Sequence, residues 1–336
     1  MLKWNIILVL LVMKTLAQGQ TVTLADSLYE PVKVSFFQPS PELNKKRFYG
    51  MAGLGVTMYG GFSYGLYNSW YKDFPKGDFR FFDDGKEWLQ MDKAGHLFSA
   101  YFQTAYSYQV ARWTGLKKTP SLYTAAAIST LVQTTIETMD GFSSKWGFSL
   151  KDVAANVGGT SLFVIQESLW DHQYIVIKES SLPVNYSEAP IFSLNNSTKT
   201  SLEERADDLF GATALERALK DYNVQTYWAS VDVHEILGKP AIWPKWLNLA
   251  FGYGASGLFG GFNNQWTNDA TGVSYDVSNQ IKRQRQYYLG LDVNFHKVRT
   301  KSHLINGLLD GLNIFKTPSP AIEYSGGEWR FHLLFW

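Results

Sequence analysis

The chain has 336 residues, 31 of them basic and 30 acidic, and a formal net charge of +1, so bulk attraction to nucleic acid is not indicated. It contains no cysteine, which excludes disulfides, thiolate catalysis, cysteine metal sites and a thioether-linked lipid anchor. Aromatic residues make up 16% of the chain against 18% charged, and the 12 Trp and 19 Tyr among them suit interfaces, including the headgroup belts of membranes.

The first residues, MLKWNIILVLLVMKTLAQGQ, set Lys3 before an apolar run at 6–13 and small residues at Ala17 and Gly19. This is the layout of a secretory signal peptide over 1–19, with an apolar part too short to span a bilayer; an N-terminal anchor interrupted by Lys14 is the alternative. Either directs the protein to the cell envelope, in the periplasm or the outer membrane. Residues 20–47 are an extension holding a weak strand pattern, VKVSFF at 32–37.

Residues 48–71 then run for 24 positions without a charge. The length suits a membrane-spanning helix, and Gly61 and Gly65 give a small-xxx-small spacing that allows close helix approach. A buried bundle helix or a Gly-aromatic pair of strands fits the same residues. A second helix is predicted over 92–112, uncharged over 94–111 apart from His96. Pro120, suited to a first helical turn, opens a third that stays charge-free until Glu137. Ser149, followed three residues later by Asp152, starts a fourth in the manner of a capping box. Short connections imply antiparallel neighbours, so 48–170 predicts an apolar four-helix assembly.

Residues 171–222 read as a polar linker followed by an amphipathic helix at 203–222. Pro183, Pro190 and many Ser and Asn mark the linker, and YIVIK at 174–178 is a weak strand pattern. From 223 onward the period becomes two. In WLNLAFGYG, Leu247, Leu249, Phe251 and Tyr253 alternate with Asn248, Ala250, Gly252 and Gly254. In QYYLGLDVNFHKV, Tyr287, Leu289, Leu291, Val293 and Phe295 alternate with Tyr288, Gly290, Asp292, Asn294 and His296. TYWASVDV and the terminal WRFHLLFW add two more candidates. These are strands with one apolar or aromatic face. The aromatic end resembles the closing strand of an outer-membrane barrel, but four clear strands fall short of the about eight such a barrel needs. The fold class is α+β: an apolar four-helix assembly, then an antiparallel β region at 223–336 forming a small sheet or a partial or complete barrel. An amphipathic stretch at 302–315 either lies on a membrane surface or packs on the sheet.

Charged residues gather at the ends of the helical segments. Asp92 and His96 are four apart on one helix face, Glu137 and Asp140 three apart, and Asp152 and Asn156 four apart. Antiparallel packing predicts that all six converge at one end of the bundle. His96 with Glu137, Asp140 and Asp152 has the ligand types for a divalent cation, or for a general acid and base. The same residues also suit plain structural duty: a cap at Asp92, a turn at Asp140, a capping box at Asp152, and His96 satisfying buried polarity. The spacing is no recognised metal motif, and there is no nucleophile elbow, phosphate loop or dinucleotide fingerprint.

DKAGHLFSAY (92–101), Glu137 and DGFSSKWGFSLKDVAANVGG (140–159) together resemble the YfiM-type domain, a family of predicted periplasmic lipoproteins of unknown function. The likeness covers about 90–168, and its motif maps onto Asp92, Lys93, His96, Glu137, Asp140, Lys151, Asp152, Asn156 and Gly159. A more distant resemblance is to VanZ-like membrane proteins. The chain departs from the lipoprotein pattern in having no cysteine to lipidate, so membrane attachment would fall to its helices or aromatic strands. The reading that results is an exported, membrane-associated envelope protein of structural or interaction type, with membrane or envelope lipid as partner. The alternative is an envelope hydrolase or lipid-modifying enzyme using His96, Glu137, Asp140 and Asp152, with Asp92, Lys93 and Asn156 in support.

Overall fold

A computed structural model describes residues 36–72, 77–268 and 271–335. The signal peptide and the first part of the 32–37 strand pattern lie outside them. The described chain is α+β, with helices first and antiparallel strands last, and it divides into two compact units. One comprises the residues up to 83 together with 99–172 and 302–307; the other comprises 84–98, 173–301 and 308–335. The boundary runs through two helices, Met91–Trp113 and His303–Leu312.

The first unit is built on α1 (Lys45–Leu66), the later turns of α2 (Met91–Trp113), α3 (Lys118–Gly141) and α4 (Leu150–Trp170). Asn44 caps α1 by accepting from the Arg47 backbone N–H, and Ser149 caps α4 by accepting from that of Asp152 at 3.0 Å. Such caps satisfy amide donors that a helix start leaves unpaired. Phe48, Ala111 and Leu116 form one buried cluster. Between the helices runs a hydroxyl seam: Ser129 Oγ lies 3.1 Å from both Thr160 Oγ1 and the Ala100 carbonyl. These small side chains satisfy one another, so the helices pack closely without apolar bulk.

Two expectations for 48–71 are corrected. Among the described residues no helix is long and apolar enough to cross a membrane. The many Gly, Tyr and Ser of α1 dilute its hydropathy below what a span needs. Nor do Gly61 and Gly65 serve close approach, since a Cβ built on either would meet nothing within 4 Å.

The second unit centres on a six-stranded antiparallel sheet of order β1-β4-β5-β8-β9-β10. In chain order its elements begin with β1 (Ile175–Ser181), β2 (Ile191–Phe192), β3 (Lys199–Thr200), α5 (Leu202–Phe210), α6 (Ala214–Lys220), β4 (Gln225–Val231) and α7 (Val233–Ile236). They continue with β5 (Leu247–Ser256), β6 (Gln265–Thr267), β7 (Ser274–Asp276), β8 (Gln284–Val293), the second half of α8 (His303–Leu312), β9 (Ser319–Ser325) and β10 (Glu328–Phe335). β2 pairs with β3 and β6 with β7 as small ribbons. Part of the stretch expected as linker is therefore ordered: β1 forms an edge of the sheet, and the single amphipathic helix expected at 203–222 is two, α5 and α6. Gly211 separates them, leaving α5 in a conformation open mainly to glycine, with φ 95°.

The sheet is inverted in polarity. Its sheltered face carries Trp228, Ser230, Asn248, Ala250, Tyr288, Gly290, Asp292 and Ala321, all buried, while Phe251, Tyr287, Leu289, Ile322, Tyr324, Trp329 and Phe331 on the other face are exposed. Within the sheltered face Trp228, Tyr288 and Phe335 stack into a small core. Gly252 is required there, because a Cβ on it would lie 2.7 Å from the Trp228 ring. α8 has no buried residue, and Leu304, Ile305, Leu308 and Leu312 are exposed.

Candidate functional site

The boundary within α2 assigns Asp92, Lys93 and His96 to the sheet unit, and Glu137, Asp140, Asp152 and Asn156 to the helical unit.

In the helical unit, Glu137 near the end of α3 is 1% exposed, and its Oε2 accepts from the Ser149 backbone N–H at 3.3 Å. Since Ser149 also accepts from the Asp152 backbone N–H, one residue ties the end of α3 to the start of α4. The result brings carboxylate oxygens of Glu137 and Asp152 within 4.8 Å of each other. Beside them lies a cavity of about 450 Å³ between α3 and α4, lined among others by Thr130, Gln133, Glu137, Asn156, Thr160 and Ser161. Asp140 does not line it. Its Oδ1 accepts from the Tyr71 hydroxyl at 2.7 Å, and burial together with the Asp140 charge raises the phenol far above its ordinary range, so Tyr71 stays a donor.

Gln133 was not among the sequence candidates. It is 2% exposed, lines the same cavity one helical turn before Glu137, and neither its amide nitrogen nor its oxygen has a hydrogen-bond partner. The four-residue spacing to Glu137 was the signal available in the sequence.

In the sheet unit, a left-handed turn precedes the start of α2, with φ of 47°, 52° and 67° at Trp88, Leu89 and Gln90. Non-glycine residues hold this conformation only when neighbours compel it. The Trp88 N–H donates to the Gly261 carbonyl at 2.7 Å, and the Tyr253 hydroxyl bonds the Leu89 carbonyl. The turn delivers Asp92 to a buried position, where Lys93 Nζ sits 2.8 Å from Asp92 and 2.6 Å from Asp84. Glu87 joins them, and one oxygen from each of Asp84, Glu87 and Asp92 falls within a 4.8 Å group. Burial, then the charges of Asp92 and Asp84, push the Glu87 carboxyl up to about 7. Burial also raises Asp92, against the pull of Lys93. Asp84 and Glu87 were missed in the sequence because they lie in an irregular stretch before α2, where helical spacing gives no guide. His96 follows Asp92 by one turn on the same helix.

Residues 78–168 match the model of a family described as a predicted periplasmic lipoprotein, DUF2279. The matched segment contains every motif residue of the YfiM-type resemblance. It is similar to an exported cell-envelope family. That agrees with the envelope location expected from the sequence, while nothing supports the VanZ likeness. No curated protein and no solved structure matches the chain.

Proposed function

We propose that this exported envelope protein has a structural or interaction role and rests against membrane lipid through the outer face of its sheet. The observation that carries this reading is the layering of that face. Strand register aligns Tyr227, Tyr253, Tyr287, Tyr324 and Trp329 in one row across five strands. The next row is Ala229, Phe251, Leu289, Ile322 and Phe331, and beyond it Leu249 pairs with Leu291. Arg285 stands on the other side of the aromatic row along β8. Cation, aromatic belt and aliphatic band in that order follow the depth profile of a headgroup layer over hydrocarbon.

Energy argues the same way. Each large apolar side chain left in water forgoes roughly 1.5–3 kcal/mol of transfer free energy, and this face exposes several in a row. The start of α2 and the turn before it cover the β4 and β5 end of the aromatic row, where Phe98 packs on Tyr227 at 5.7 Å and the Tyr253 hydroxyl bonds the Leu89 carbonyl, and leave Tyr287, Tyr324 and Trp329 exposed. α8 offers a second exposed apolar side.

The test is flotation of the full chain with vesicles of phosphatidylethanolamine and phosphatidylglycerol. The wild type is expected to float and to resist a high-salt wash, whereas a Leu289→Asp/Phe331→Asp variant, folded by circular dichroism, stays with the soluble fraction. Failure of the wild type to float sinks the proposal, as does flotation of the folded variant; self-association without vesicles, seen by sedimentation velocity, would assign the face to a second copy. The buried Glu137–Asp152 pair favours one second reading, hydrolysis or lipid modification that draws on these two carboxylates.

A further inference from the structure

We infer that the cavity between α3 and α4 binds a hydrated divalent cation of the hard, oxygen-seeking class, such as Mg²⁺, Mn²⁺ or Ca²⁺. This stands apart from the lipid reading, since the cavity and Gln133 belong to the helical unit and the lipid-facing rows to the sheet. Glu137 lines the cavity, Asp152 does not, and oxygens of the two lie within 4.8 Å of each other, which places the ion at the Glu137 end. Two oxygens bonded to one ion at about 2.0–2.6 Å can be separated by no more than about 4–5 Å, so the pair spans a single ion.

Gln133 is the independent observation. Its amide is 98% buried by its 2% exposure, faces the cavity, and leaves both a donor and an acceptor without partners. Such a group costs about 1–3 kcal/mol unless something in the cavity bonds it. An ion with its water shell supplies that something: the Gln133 oxygen ligates the ion or accepts from a bound water, and its NH₂ donates to a second water. Hydroxyls of Thr130, Thr160 and Ser161 line the same space for further waters.

Size and charge narrow the ligand. A cavity of about 450 Å³ is far larger than a bare ion but has room for an ion and several waters of about 30 Å³ each. Mg²⁺ in particular keeps several of its waters when bound. No lysine, arginine or histidine is among the lining residues, so anions are disfavoured. Carboxylate, amide and hydroxyl oxygens select hard cations over soft ones.

The experiment uses the full chain stripped with chelator, titrated with Mn²⁺ and read by electron paramagnetic resonance of free Mn²⁺, with Mg²⁺ and Ca²⁺ as competitors. One saturable site per chain is expected. Glu137→Gln should weaken it about tenfold or more, and Gln133→Leu about tenfold, with circular dichroism unchanged. Absence of saturable binding up to about 10 mM, beyond even weak extracellular calcium modules, overturns the inference. So does wild-type affinity in folded Gln133→Leu, the variant that decides the matter if Glu137→Gln does not fold.

Discussion

Lys178 on β1 is fully buried, an uncommon place for an ammonium group. Its Nζ lies 2.6 Å from Asp292, 2.9 Å from the Val293 carbonyl and 3.1 Å from Asn313 Oδ1. Asp292 also accepts from the Ser230 hydroxyl and the Thr317 N–H. Desolvation pulls the Lys178 pKa down and the Asp292 charge pushes it back, so pairing is what keeps the cation tolerable. Asp292→Asn should therefore cost about 3–5 kcal/mol in urea unfolding, while Lys178→Met/Asp292→Leu costs less than the sum of the two single changes. Additive losses would show that the pair is not coupled. Glu87 makes a pH prediction. Its carboxyl rises from 4.5 to about 7 in the folded state, so between these values the folded protein holds a proton that the unfolded chain has lost. That term favours folding least above pH 7, and stability declines as pH rises through the window. Glu87→Gln should gain about 1 kcal/mol on the wild type at pH 8, after discounting for its partial exposure, and little at pH 4. An equal difference at both values would contradict the raised pKa.

Among the elements, α1 is the one whose residues most invite a wrong reading. A 24-residue uncharged run with glycines four apart has the outline of a packed membrane helix, yet its glycines face open space. Gly61→Ala and Gly65→Ala should each raise stability by about 0.5–1 kcal/mol, because alanine loses less conformational freedom on folding and meets no obstacle. A loss of stability, read by thermal unfolding, would mean that something packs on that row. In β5 and β8 the alternation itself is plain in the sequence. Which face turns inward is not, because both periods fit equally well and a one-residue shift exchanges them. The small residues decide it: Ala250, Gly252 and Gly290 admit the bulk of Trp228 and Tyr288 on the sheltered side, leaving Phe251, Tyr287 and Leu289 outward.

On the scale of the molecule, each unit has its own kind of interior. The helical unit mixes an apolar cluster with a hydroxyl seam and a cavity that holds the unpartnered Gln133 amide; the sheet unit buries an ion pair beside the Trp228, Tyr288 and Phe335 core and turns further aromatic rows outward. The large apolar side chains of the outer rows gain transfer free energy only in an apolar surrounding, which is their natural complement. The vesicle experiment belongs to this scale, since no single side chain decides it: the prediction concerns rows that exist only once five strands are in register.

The four helices, the principal strands and the polar helix ends were legible because periodicity, caps and Pro or Gly breaks act over a few neighbouring residues. Glu137, Asp152 and Asn156 could be named for the same reason, and so could the Ser149 cap that joins them. The position of Asp84 and Glu87 beside Asp92, the unsatisfied amide of Gln133 in the cavity, and the Lys178–Asp292 pair could not be named. The sequence by itself determined the α+β order, the alternation along each strand and the envelope character of the chain. Only the tertiary structure decided which sheet face is sheltered and which distant polar groups meet, because those outcomes depend on register and packing between segments far apart in the chain.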